Sequence, residues 1–166
     1  MPRTLSLTLP TEDATRSLAC GLAGVLGPGD TVLLAGPIGA GKTALARALI
    51  QAAQETAGAA PEDVPSPTFT LVQTYAAGDL EVWHADLYRL THPDEVLELG
   101  LDEAFSTALC LIEWPDRLGS LAPHGALTIT LTPGEAEQTR EARFTFADPA
   151  WAARLAPVLS QGAQDG

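Results

Sequence analysis

The sequence predicts an α/β domain with a mixed parallel and antiparallel sheet flanked by helices. Three observations carry that expectation. The apolar run Thr31-Val32-Leu33-Leu34-Ala35 reads as a buried strand, and it is followed by a glycine-rich segment and then by the helical pattern Ala44-Leu45-Ala46-Arg47-Ala48-Leu49-Ile50. A second short apolar run, Leu109-Cys110-Leu111-Ile112-Glu113, has the length and bounds of another buried strand. Two hairpin patterns complete the set, one around Ala76-Ala77-Gly78-Asp79 and one around Pro133-Gly134.

The elements follow in order along the chain. Leu5, Leu7 and Leu9 alternate with polar residues, the period of a half-buried strand. Thr11 then reads as an N-cap with Glu12 and Asp13 in the first turn, opening a helix that runs toward Leu26 and stops at Gly27-Pro28-Gly29. After the strand, loop and helix described above, residues 58–67 are rich in Gly, Ala and Pro and read as a loop. Phe69 to Tyr75 and Leu80 to Ala85 are the arms of the first hairpin, and Pro93 to Leu99 is a short amphipathic helix. Leu127 to Leu131 and Arg143 to Phe146 pair as the second hairpin, and Pro149 to Val158 is the closing helix. A chain of 166 residues without repeats or a linker is expected to be one domain over 1–159, with 160–166 a flexible C-terminal tail.

Composition excludes several classes of protein. At 46% hydrophobic and 18% charged residues, the chain is globular rather than disordered. No apolar run approaches the roughly 18 residues that span a bilayer, and the N-terminus lacks the apolar core of a signal peptide, so no membrane association and a cytoplasmic location are expected. Cys20 and Cys110 are too few for a disulfide framework and lack metal-site spacing; both are expected as buried thiols. A formal net charge of −12 with a pI near 4.4 repels a phosphate backbone, and no basic run offsets it. Tight nucleic-acid binding by this chain alone is therefore not expected.

Lys42 is the only lysine in the chain, and it stands in Gly36-Pro37-Ile38-Gly39-Ala40-Gly41-Lys42-Thr43, the frame G-x-x-x-x-G-K-T of a phosphate-binding loop. A compact ammonium fits between phosphate oxygens where a planar guanidinium would alter the fit. With a strand before it and a helix after it, the segment from Gly36 to Ala44 implies binding of a nucleoside triphosphate. Gly39 and Gly41 let the backbone turn its N–H groups inward, and the following helix adds its positive end. Thr43 is placed to ligate magnesium. Such a site needs an acid at the end of an apolar strand, and both Glu113 and Asp86 qualify. Ser66-Pro67-Thr68-Phe69 occupies the place of a nucleotide-sensing switch, although read alone it is more often a turn. Trp114 either packs in the core or lines the site; His84 reads as a strand residue without metal duty; Arg89 either stabilises charge or sits in a surface ion pair. The chain has no asparagine, so it lacks the Asn/Thr-Lys-x-Asp element that reads guanine, and adenine becomes the expected base.

Taken together, the loop from Gly36 to Thr43, Ser66-Pro67-Thr68-Phe69-Thr70-Leu71-Val72, His84-Ala85-Asp86-Leu87-Tyr88-Arg89-Leu90 and Ile112-Glu113-Trp114 resemble the TsaE (YjeE) family in order and spacing. These are bacterial P-loop ATPases required for making threonylcarbamoyladenosine in tRNA. The resemblance implies a P-loop ATPase that uses ATP and Mg2+ and supports turnover of a complex of the TsaB and TsaD proteins, meeting tRNA only through them. It implies that Lys42, Asp86 and Glu113 are catalytic and that Thr43, Glu113 and Asp86 serve the metal. Gly36, Gly39, Ala40, Gly41, Ala44, Thr68 and Trp114 would lie at the nucleotide, with Thr15 near the base and Arg143 as a late nucleotide-side arginine. Pro37 departs from the acidic residue the family usually carries after the first glycine. The competing readings are a small-molecule or nucleoside kinase, for which no arginine-bearing lid pattern is evident, and a non-hydrolysing nucleotide-dependent assembly factor.

Overall fold

Leu33 stands between Val32 and Leu34 and faces the opposite way, and that alternation sorts the molecule into layers. The computed structural model describes the backbone of residues 3–165 and the side chains of 3–160. In chain order the elements are β1 (Arg3–Leu9), α1 (Glu12–Ala23), β2 (Thr31–Ala35), α2 (Lys42–Thr56), β3 (Val72–Ala77), β4 (Leu80–Asp86), α3 (Asp94–Glu98), α4 (Leu101–Thr107), β5 (Leu109–Glu113), a 3-10 segment (Pro115–Leu121), β6 (Leu127–Pro133), β7 (Arg140–Phe146) and α5 (Ala150–Asp165). The strands form one seven-stranded sheet in the order β1-β7-β6-β2-β5-β4-β3. Its centre, β6-β2-β5-β4, is parallel, and antiparallel pairs β7–β6, β1–β7 and β3–β4 flank it. This is the mixed sheet expected.

One face of the sheet is covered by α1, α2 and α5. Leu18 and Leu22, Leu45 and Leu49, and Trp151 and Leu155 from these helices form one core with strand residues such as Val32, Leu34, Ile129 and Phe144. On the other face, Val96, Leu101 and Leu118 pack with Leu33, Cys110 and Ile112. This second cover extends over the parallel strands but not over the antiparallel flank. There, the side chains of Ser6, Thr8, Glu141 and Arg143 are exposed, with Thr8 donating to Glu141. The β2 strand is buried on both faces because it lies mid-sheet, whereas β1 and β7 alternate, as half-covered strands must.

Local chemistry explains most boundaries. Thr11 caps α1, its Oγ1 accepting from the Ala14 N–H at 3.1 Å. The helix stops at Ala23, short of Leu26, because the Gly24 N–H turns back to Gly21 and Leu22. β3 starts at Val72, later than Phe69. Leu71 is in the left-handed region at φ 68°, and its N–H donates to Pro67 O at 2.7 Å, so residues 68–71 form a turn. The helix α4 and the 3-10 segment have no counterpart in the sequence reading. α5 is described to Asp165, past the predicted end at Val158; the side chains of residues 161–166, in the predicted tail, lie outside the described residues. Cys20 is a correction: it lies on the outer side of α1 and is exposed, while Cys110 is buried. Burial, with Glu81 nearby, pushes the Cys110 thiol up to about 12. No helix among the described residues is long and apolar enough to cross a membrane.

Candidate functional site

The glycine loop leaves the C-terminal end of β2 at the centre of the parallel strands. Gly36 has φ 135°, and a Cβ there would come 2.2 Å from the Leu131 carbonyl oxygen on β6, so the loop can exit the sheet here only with glycine. Gly41, at φ 102°, is the N-cap of α2, and no side chain caps the helix. The first N–H groups of a helix have no partner within it, so an uncapped N-terminus facing a cleft attracts an anion. Lys42 Nζ donates to Gly36 O at 2.5 Å and to Pro37 O at 3.0 Å, and lies 3.9 Å from the centroid of the Trp114 ring. Burial lowers the pKa of Lys42, and Glu113, Asp86 and Asp116 oppose that shift. The ammonium is thus held at the loop by neutral carbonyls, with acids farther off. Pro37 leaves this arrangement intact, since the loop uses its carbonyl and not an N–H.

Strand periodicity assembles the acidic side of the site. On β4, Val82, His84 and Asp86 share one face; on β5, Leu109, Leu111 and Glu113 share the same face, with α2 packed above. Asp86 is paired directly with Glu113 in the parallel register. Both carboxylates therefore meet the N-terminus of α2. Thr43 Oγ1 donates to Glu113 Oε1 at 2.7 Å, and His84 Nε2 lies 2.6 Å from Glu113 Oε2. Asp86 accepts from the Thr68 hydroxyl at 3.1 Å and from the Tyr88 N–H at 3.0 Å, and Ser66 is 2.7 Å from Thr68. His84, Asp86 and Glu113 are buried at 0%, 5% and 2% exposure, so these hydrogen bonds are what make the polar cluster tolerable. Trp114, in the left-handed region at φ 58°, turns the chain after β5 and stacks 4.9 Å from Tyr88. Lys42, Thr43, Thr68, Asp86, Glu113 and Trp114 line a cleft of about 380 Å³.

The donor set toward this cleft is all oxygen, the chemistry of a hard divalent cation. Among the described residues no group of three or more His, Cys, Asp and Glu side chains could hold a metal by itself.

A second cleft, of about 370 Å³, opens on the other side of the loop, and Thr15, Ala40, Gly41, Ala44, Gln138 and Arg140 are among its lining residues. Arg140 Nε donates to the loop carbonyl of Ala40 at 3.1 Å, and its Nη1 donates to Glu137 O and Thr139 O. Three residues along an extended strand reverses the side, so Arg143 lies on the exposed face of β7 and lines neither cleft; the arginine beside the loop is Arg140. Arg89 has no carboxylate partner among the described ion pairs and instead lies 5.2 Å over the exposed Phe69 ring. His84 lies on β4 as the sequence indicates, but its bond to Glu113 is not evident from the sequence. Its signal was the two-residue spacing to Asp86, which puts both on one side of β4, but an isolated strand pattern does not reveal which side faces α2.

A mixed sheet with a parallel core, carrying a glycine loop between a strand end and a helix N-terminus and a strand-end acid bonded to the following threonine, defines a P-loop NTPase-like protein. The chain belongs to the TsaE family: residues 9–142 match the family model described as threonylcarbamoyl adenosine biosynthesis protein TsaE. It is 41% identical over 126 residues to the tRNA threonylcarbamoyladenosine biosynthesis protein TsaE of Rickettsia conorii, covering 75% of this chain and 69% of that one. It is 34% identical over 134 residues to the protein of the same name from Bacillus subtilis, covering 80% of each. The crystal structure of Bacillus subtilis YdiB superposes with a TM-score of 0.76 at 26% identity, covering 100% of this chain and 99% of the other.

Proposed function

We propose that this protein is an ATP-binding and ATP-hydrolysing subunit of the tRNA threonylcarbamoyladenosine synthesis machinery, working with the TsaB and TsaD proteins. The single observation that carries the catalytic part is the 2.7 Å bond from Thr43 to Glu113 directly after the loop lysine. A threonine hydroxyl that donates its hydrogen bond to a buried carboxylate keeps its oxygen lone pairs for a cation. Mg2+ bound there would neutralise charge on the phosphates as the terminal bond breaks. Lys42 would exchange its two loop carbonyls for phosphate oxygens, gaining charge-assisted bonds. Asp86, with Thr68, would orient water at the terminal phosphate, and the cleft bearing Thr15 and Arg140 would take the nucleoside.

The partner half of this reading rests on family membership, on charge and on where the switch-like segment lies. Thr68 reaches into the site while the next residue, Phe69, is 85% exposed. A change at the terminal phosphate therefore changes what a partner sees. With a net charge of −12, tRNA contact falls to the partners. The test is phosphate release from ATP and GTP by the purified chain with and without TsaB and TsaD, together with light-scattering titration of the assembly in ATP analogue and in ADP. ATP-selective release and nucleotide-dependent assembly are expected. Assembly indifferent to the nucleotide, or submicromolar tRNA binding by the chain alone, would refute the partner half.

A further inference from the structure

We propose that His84 is the positioning residue for the cation end of the site, an inference that rests on the nucleotide and cation reading above. The imidazole is fully buried on β4, one strand over from Glu113 on β5, and Nε2 lies 2.6 Å from Glu113 Oε2. Glu113 Oε1 accepts from Thr43 at 2.7 Å. The two bonds hold the carboxylate at both oxygens, one from the sheet and one from α2. A carboxylate fixed only through Thr43 could rotate about its side-chain torsions; the second donor removes that freedom. His84 thus keeps Oε1 aimed at the hydroxyl proton, which is what leaves the Thr43 oxygen lone pairs available to a cation. Nδ1 of His84 is buried and has no hydrogen-bond partner among the described residues. With Nδ1 unpartnered among the described residues, the N–H in the bond to Glu113 is assigned to Nε2.

His84 lines neither cleft, and its hydrogen bond reaches the site through Glu113. Its loss should therefore weaken cation coordination and leave cation-free nucleotide binding alone, a split that a general packing role would not produce. Groups that orient metal-site carboxylates and imidazoles typically contribute about 10- to 100-fold in metal affinity.

The experiment compares wild type, His84→Leu and His84→Gln by calorimetric titration of ATP in excess EDTA and across a Mg2+ series, with thermal melts in parallel. Glutamine keeps an N–H donor at similar reach. In His84→Leu the Mg2+ concentration at half-effect is expected to rise about tenfold while ATP affinity in EDTA is unchanged, with His84→Gln recovering most of the difference. His84→Met supplies a second donor-free variant should leucine prevent folding. An unchanged Mg2+ requirement in a folded donor-free variant, an equal loss with and without Mg2+, or a glutamine variant no better than leucine would overturn the proposal. Absence of any Mg2+ effect on ATP binding in the wild type would instead overturn the cation reading on which it rests.

Discussion

The two clefts beside the N-terminus of α2 are built from different kinds of element. On the acidic side, His84, Asp86 and Glu113 stand on β4 and β5, neighbouring strands of the parallel core, and each carboxylate is bonded at both oxygens. On the other side, Thr15 comes from α1, Ala40 from the loop, and Arg140 from the first residue of β7. Arg140 is anchored only by backbone carbonyls, and among the described residues it forms no ion pair. Ladder hydrogen bonds hold strand-borne groups to a register, whereas groups from a helix, a loop and a strand end depend on how separate elements dock. The comparison teaches that the buried acids sit where geometry is stiffest, whereas the groups of the other cleft depend on how three separate elements dock.

That contrast can be broken by substitution. Lys42 belongs to the loop shared by both clefts and has the largest expected effect: Lys42→Ala should weaken ATP binding at least about 100-fold, or about 2.7 kcal/mol, in calorimetry. Its melting temperature should stay near wild type, because the ammonium bonds the loop rather than the core. Unchanged ATP affinity would remove the phosphate-binding assignment altogether.

Glu113→Gln tests the acidic side. The amide keeps the size but loses the charge that accepts the Thr43 hydrogen bond, so hydrolysis in the full assembly should fall by roughly 100-fold while ATP binding changes only a few-fold. Wild-type turnover in this variant would transfer the principal role to Asp86. Thr68→Ala removes one of the bonds to Asp86 without touching Glu113, and about a tenfold loss of turnover at saturating ATP is expected.

The other cleft should respond more weakly and in a different parameter. Arg140→Ala is expected to reduce ATP affinity about fivefold, near 1 kcal/mol, with turnover at saturating ATP preserved. Arg143→Ala, on the opposite side of the same strand, should stay within about twofold in both measures, as surface substitutions do. A larger effect from Arg143 than from Arg140 would reverse the assignment of the two arginines and show that β7 presents its other face to the nucleotide.

Much of this was legible in the chain itself. The loop could be read because its pattern is local: Gly36, Gly39 and Gly41 stand at fixed offsets from Lys42 and Thr43, although the need for Gly36 itself comes from Leu131 on a strand distant in sequence. Glu113 and Asp86 were legible as strand ends, since an apolar run that stops at an acid marks its own boundary. Thr11 announced its helix, and the two hairpins announced themselves through turn residues. The side of a strand is a different matter. Period-two alternation shows that His84 and Asp86 share a side and that Arg140 and Arg143 do not, but it does not say which side meets α2. That depends on strand order, set by crossovers and helix packing across long sequence separations. The sequence by itself therefore determined the glycine loop between strand and helix, the helix cap and the acids that end β4 and β5. Only the tertiary structure brought Glu113 to Thr43 and His84 to Glu113, and set Arg140 rather than Arg143 beside the loop, because each of those placements depends on register and facing in the assembled sheet.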